Sequence, residues 1–201
     1  MWLCSASDCR RCVDQVPDPR RSDASRVLLR SLTSADRDPF IAAMRASRKL
    51  HQPWIMAPTT TAAFDQRLGR AEDDRFEPML ACRREDGAIV GFFDVSEIVR
   101  GLFQSAYLGY GAVAAFAAFA GRGYMTEGMQ LVLTRAFTEL RLHRLEANIQ
   151  PGNSASIALV RRSGFVREGL SERYLKIGGR WRDHERWAIR AEQWHEQIRA
   201  R

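Results

Sequence analysis

At 201 residues the chain has the length of one domain with a substantial core, and apolar and charged fractions of 45% and 27% exclude a disordered or fibrous protein. No apolar run approaches the roughly 20 residues that span a bilayer, and no basic-then-apolar leader opens the chain, so a cytoplasmic protein without a membrane partner is expected. The net charge of +7 lies late, with eleven Lys/Arg against six Asp/Glu in residues 161–201; no RNA-binding signature accompanies it, so it reads as a solvated face and nucleic-acid contact is not expected.

Residues 1–25 are rich in Arg, Asp, Ser and Pro without apolar period, the composition of a disordered tail. The tail carries Cys4, Cys9 and Cys12. The spacing Cys9-Arg10-Arg11-Cys12 suits zinc, but no fourth ligand stands nearby, so no metal site is expected. The first strand is expected from Arg26 to Leu32. Thr33 then offers a side-chain oxygen to the amide three residues on, with Asp36 favouring the first turn. The helix it caps is expected to run from Ser34 to about Arg48, with Phe40, Ile41, Met44 and Leu50 facing inward. Pro53-Trp54-Ile55 breaks it and is placed to line an acceptor pocket. A second helix is expected from Thr59 to Leu68. Strands follow at Phe76–Cys82 and Ala88–Val95, joined through Asp86-Gly87, a strong hairpin signal. A loop from Val99 to Phe103 leads to a strand ending near Tyr110.

The next stretch carries the chemistry. A glycine turn, Gly121-Arg122-Gly123-Tyr124-Met125, precedes a helix expected from Thr126 to Leu140, whose apolar residues Met125, Met129, Val132, Leu133, Ala136, Phe137 and Leu140 keep the spacing of one face. A strand, His143–Ile149, and a polar turn, Gln150–Asn153, lead to a helix from Ser154 to Ser163, stopped by Gly164. The first turn of a helix has amides without internal partners and a positive dipole end. Glycines before it let an anion approach the backbone, so the turn suits phosphate or pyrophosphate. No Gly-Lys-Ser/Thr follows, and the third glycine of a dinucleotide fingerprint would be Thr126; both nucleotide motifs are excluded. Two more strands are expected around Gly178-Gly179, Leu170–Ile177 and Arg180–Ile189, with Tyr174 and Trp181 facing the core. Residues 191–201 read as a frayed, polar helical extension.

Ala120-Gly121-Arg122-Gly123-Tyr124-Met125 resembles the Arg/Gln-x-x-Gly-x-Gly/Ala signature of the GNAT (Gcn5-related) N-acetyltransferases. Gly123 matches; Ala120 and Met125 depart from the pattern. Asn153-Ser154-Ala155-Ser156 through Gly164-Phe165 is similar to the family's Asn-x-x-Ser helix, and Tyr174 to His184 to the closing hairpin of its RimJ/RimL branch. The resemblance covers about Val27 to Trp187. It implies an α/β fold in which a mixed, mostly antiparallel, twisted sheet of six to seven strands carries helices on both faces, in a domain spanning 26–190.

It also implies acetyl-CoA as co-substrate, without a metal. The pyrophosphate is expected on Gly121, Arg122, Gly123, Tyr124, Met125 and Thr126. The pantetheine arm is expected along the strand edge at Tyr110, with Asn153 bonding it; Asn153 is equally an ordinary helix cap. The family's usual thiolate-protonating tyrosine falls at Val160, which leaves Ser156 as the candidate near the sulfur. A lone hydroxyl without a basic neighbour is no nucleophile, so direct attack by the amine is expected. Glu146 is the candidate base, with Asp94, Glu97 or a water relay as alternatives, and His184 is placed to shape the acceptor site. The expected acceptor is a protein N-terminal α-amino group, with a ribosomal protein as the expected bearer. A small amine such as an antibiotic or polyamine is the alternative, an acyl-CoA-binding regulator without catalysis a third. A monomer or homodimer is expected.

Overall fold

Residues 25–117 and 122–200 are described in the structure, a computed structural model. The N-terminal tail with Cys4, Cys9 and Cys12, and Gly121 in the glycine turn, lie outside the described residues. Seven strands form one sheet: β1 (Val27–Ser31), β2 (Phe76–Arg83), β3 (Ile89–Val99), β4 (Ser105–Ala112), β5 (Arg144–Ile149), β6 (Val166–Ile177) and β7 (Arg180–Arg190). Their order is β1-β2-β3-β4-β5-β7-β6. Every neighbouring pair is antiparallel except β4 and β5. The β2–β3 hairpin closes through Asp86-Gly87, with Gly87 N–H donating to Arg83 O at 2.9 Å.

Seven helices flank the sheet among the described residues: α1 (Arg37–Ala46), α2 (Arg48–His51), α3 (Thr61–Gly69), α4 (Ala114–Ala117), α5 (Tyr124–Thr134), α6 (Ser154–Arg162) and α7 (Ala191–Arg199). On one face α5 and α6 bury Met129, Val132, Leu133 and Val160 against Val95, Leu108 and Leu145. On the other, α1 and α3 bury Phe40, Met44 and Phe64 against Leu80 and Phe92. Each such side chain contributes about 1.5–3 kcal/mol when fully removed from water, so the sheet is held by a core on both sides. No helix among the described residues is long and apolar enough to cross a membrane.

Several local expectations are corrected. The first helix is split at Ser47, whose hydroxyl donates to Ala43 O at 2.6 Å and accepts from Ala114 N–H at 2.8 Å. The break changes the helical phase, and Leu50 is turned outward, 39% exposed. The expected cap at Thr33 forms as a capping box, and Thr33 also donates to the Asp36 carboxylate through its N–H and its hydroxyl, at 2.8 Å each. α5 starts at Tyr124 and continues as a π turn closed by Leu140 N–H to Arg135 O at 2.9 Å. Trp181 is 60% exposed near the tip of the β6–β7 hairpin. The C-terminal helix has an apolar side: Trp194 is fully buried, its ring centroid 5.5 Å from that of Phe137.

Candidate active site in the cleft between β4 and β5

The site begins where the sheet splits. β4 and β5 pair only at Ser105–Arg144, Ala106–Leu145 and Tyr107–Glu146. Beyond Tyr107 the strands separate, because β5 continues with β7 while β4 continues with β3. A cavity of about 710 Å³ fills the gap. β4 lines it from Leu108 to Ala112, β5 with Asn148 and Ile149, the α5 start with Gly123 to Glu127, and the α6 start with Asn153 and Ser156.

The α5 end is built for an anion. Gly123 is the residue before the helix and has φ +88°, a left-handed conformation that costs an L side chain roughly 1–2 kcal/mol. The amides that follow it open the helix, ahead of its i→i−4 ladder. Arg26 from the start of β1 is laid across this end. Its guanidinium sits 4.5 Å from the Tyr124 ring centroid, pairs with Glu127, and donates to the backbone oxygen of Arg122. Sequence reasoning assigned the added charge here to Arg122; Arg26 is a second cation at the same end, and its distance along the chain hid it.

At α6, the Asn153 side chain accepts from Ser156 N–H at 3.2 Å, a helix cap. Ser156 lines the cavity. Tyr110, on β4, donates from its hydroxyl toward Ser156 O at 3.5 Å. Burial pushes the Tyr110 phenol up to about 12, so it holds its proton at neutral pH. Val160, the position of the family's tyrosine, is buried in the core.

The carboxylates singled out from sequence are not on the cavity wall. Glu146 stands at the apex of the split, opposite Tyr107, and accepts from Arg144 at 2.8 Å. Asp94 is held by both terminal nitrogens of Arg67 in a largely buried pair. Burial outweighs that pairing and raises the Asp94 carboxyl to about 6. Glu97 pairs loosely with Arg70 at 3.8 Å. Tyr174 places its hydroxyl 3.3 Å from that of Tyr107.

The wall also holds Trp54, Ile55 and His184, which the sequence reading placed at the acceptor side, and His51 and Arg162, which it left out. Trp54 and Ile55 come from the loop after α2, and Gln150 fastens that loop by donating to Trp54 O at 3.1 Å. One signal for the β5 residues was present: Glu146, Asn148 and Gln150 alternate with the buried Leu145, Ala147 and Ile149, so a strand there must turn its polar residues to one face. His184 on β7 belongs to that face, since its i+2 neighbour Arg186 pairs with Asn148. It is buried, 3% exposed, and lines the cavity.

Residues 26–166 match the acetyltransferase (GNAT) domain family. Among curated relatives, the chain is 36% identical over 126 residues to a probable N-acetyltransferase, YjcK, of Bacillus subtilis, covering 63% of this chain and 66% of that one. It is 34% identical over 110 residues to the ribosomal protein uS5-alanine N-acetyltransferase of Escherichia coli, covering 55% of each. The chain thus spans between half and two thirds of the length of these relatives. Among solved structures, Mycobacterium smegmatis RimJ in complex with CoA-disulfide is similar, with a TM-score of 0.75 and 28% identity over 87% of this chain and 88% of that one.

Proposed function

Since this chain belongs to the GNAT acetyltransferase family, we propose that it transfers the acetyl group of acetyl-CoA to the N-terminal α-amino group of a protein, a ribosomal protein being the class its Escherichia coli relative is named for. The pyrophosphate lies on the amides from Gly123 to Thr126, where the helix dipole and Arg26 add positive charge. The pantetheine arm runs along the open edge of β4 as an added strand would, with Asn153 at its side. The amine attacks the thioester carbonyl carbon directly. Ser156 and the protonated Tyr110 lie at the arm's far end, where the departing thiolate needs a proton.

One observation carries the choice of acceptor. Glu127 is the sole carboxylate among the described wall residues, and it is paired with Arg26 at the phosphate end. A polyamine or aminoglycoside offers several cations and needs several carboxylates to receive them. A peptide α-amino group offers one cation, which sheds its charge before reacting. The wall suits the second.

The test is calorimetric binding of acetyl-CoA to the wild type and to Gly123→Glu, followed by thiol release with peptides starting in alanine or serine and, separately, with spermidine. Binding abolished in the variant, with release on the peptides, is the expected result. Release on spermidine alone would move the acceptor to small amines. Binding without release on either would leave a regulator that holds acyl-CoA.

A further inference from the structure

We propose that His184 is the general base of the reaction, taking the proton of the acceptor amine on its Nε2 atom. The inference deepens the acetyl-transfer reading of the same cleft and rests on it. A base needs a lone pair that an amine can reach. Glu127 is occupied by Arg26. Arg162 offers donors only and no acceptor lone pair. Tyr110 keeps its own. The Tyr124 ring sits under the Arg26 guanidinium. His51 stands 2.8 Å from Ala112 O through Nε2, so that nitrogen donates; its Nδ1 is sealed from solvent with no partner. Off the wall, Glu146 and Asp94 are bound by Arg144 and Arg67.

His184 differs from each of these. Its Nδ1 lies 2.9 Å from the carbonyl oxygen of Arg182. A carbonyl only accepts, so Nδ1 carries the ring proton and the Nε2 lone pair is the one left for the cavity. The same contact fixes the ring, and the buried setting of His184 keeps it from turning away. Desolvation lowers its pKa, which keeps the imidazole neutral and ready to accept at pH near 7. The charged and titratable groups around it are Asp183, which pushes the other way, Arg182 and Arg186 at the i±2 positions of β7, Tyr174 on β6 with its ring centroid 6.2 Å away, and Glu146 on the same face of β5.

The protons then balance. The ammonium gives one proton to His184 Nε2, from which it passes to solvent. The free amine forms the C–N bond. The tetrahedral adduct breaks its C–S bond, and the remaining extra proton on nitrogen ends, through the groups near the sulfur, on the thiolate. The products are the amide, the CoA thiol and one released proton.

His184→Asn keeps a side-chain N–H for Arg182 O and removes the base. The expected loss in kcat/KM on an alanine-starting peptide is about 10²–10⁴-fold, the usual contribution of a general base, with acetyl-CoA affinity and thermal midpoint unchanged. The acidic limb of the wild-type profile of kcat/KM against pH should lose the titration of His184 in the variant and keep only that of the acceptor amine. An aryl amine, already unprotonated near pH 7, should lose far less than the peptide does. An equal loss on both acceptors, or an acidic limb of the same shape in wild type and variant, overturns the proposal. A two-bond proton–nitrogen spectrum of the histidine rings decides independently of turnover. An Nδ1–H tautomer for His184 near pH 7 is expected, and an Nε2–H tautomer or an imidazolium would overturn the assignment even if no acceptor in the panel reacted. Absence of acetyl-CoA binding in the wild type would instead sink the reading of the cleft.

Discussion

Replacing Gly109 by valine should separate the cleft's function from its stability. Gly109 lies on β4 two residues beyond the last β4–β5 pair and lines the cavity. A Cβ built there meets only Asp94 Cβ, at 3.9 Å, an ordinary contact. Glycine in a strand interior costs roughly 0.5–1 kcal/mol relative to alanine, and a β-branched residue suits the pleat. The variant should therefore be as stable as the wild type, or gain up to about 2–4 °C in Tm for a chain of this size. On the proposed reading its side chain projects into the part of the cavity where the amine meets the thioester. A displacement of about 1 Å from attack geometry costs about 10²-fold, so kcat/KM on the peptide should fall by that order while acetyl-CoA still binds. The assay pairs thermal unfolding with calorimetry and thiol release. Gly111→Val is the control, because a Cβ there would meet Phe92 Cε1 at 2.5 Å and Ile55 Cδ1 at 2.8 Å; overpacking of that kind costs about 1–3 kcal/mol. Full turnover in Gly109→Val would refute the placement of the acceptor in this part of the cleft.

Arg67→Met should destabilise the protein by about 3–5 kcal/mol, because it strands the buried Asp94 carboxylate; chemical unfolding measures it, and adding Asp94→Leu should restore most of the loss. Asn153→Ala should cost about 1 kcal/mol through the lost cap and weaken acetyl-CoA in calorimetry, whereas a purely structural Asn153 would leave the affinity untouched. The contribution of His51 to stability should also fall on mild acidification. Burial depresses the pKa of His51 in the folded protein, while the unfolded value is about 6.5. The unfolded chain then binds more protons below that pH, so the contribution of His51 is present above it and is lost as pH falls through the folded pKa. Unfolding curves of the wild type and His51→Gln across that window should diverge, and parallel curves would remove His51 from the account.

The elements that announce themselves in sequence are those whose own period suffices. α5 is legible because Met129, Val132, Leu133 and Ala136 share one face and all are buried. The β2–β3 hairpin is legible because Asp86-Gly87 meets a turn requirement, with Gly87 at φ +72°. Leu50 fails because periodicity assumes a continuous helix, and the break at Ser47 is made by a bond to Ala114, far along the chain. Trp194 fails in the opposite sense: its neighbours are polar, and only the helix placed against Phe137 gives it a core to enter. The candidate site shows the same division. The amide end of α5 and the cap at Asn153 are local and were readable. His184 reaches the wall only through the pairing of β5 with β7, whose register residue spacing does not supply.

The split between β4 and β5 is the feature from which the chemistry follows, and it is costly. Past Tyr107, the β4 groups that would have bonded β5 face the cavity. A buried backbone amide or carbonyl left without a partner costs about 1–3 kcal/mol, so a sheet that opens here must satisfy those groups with water or with a ligand that carries its own amides. Pantetheine is such a ligand: a flexible arm with two amide groups along its length, joined to a pyrophosphate. The cleft brings an open strand edge and a helix start in a left-handed glycine turn to one cavity. Those are the two kinds of group that an amide-bearing arm and its pyrophosphate need. Tyr110, Ser156 and His184 border the same cavity from three separate elements.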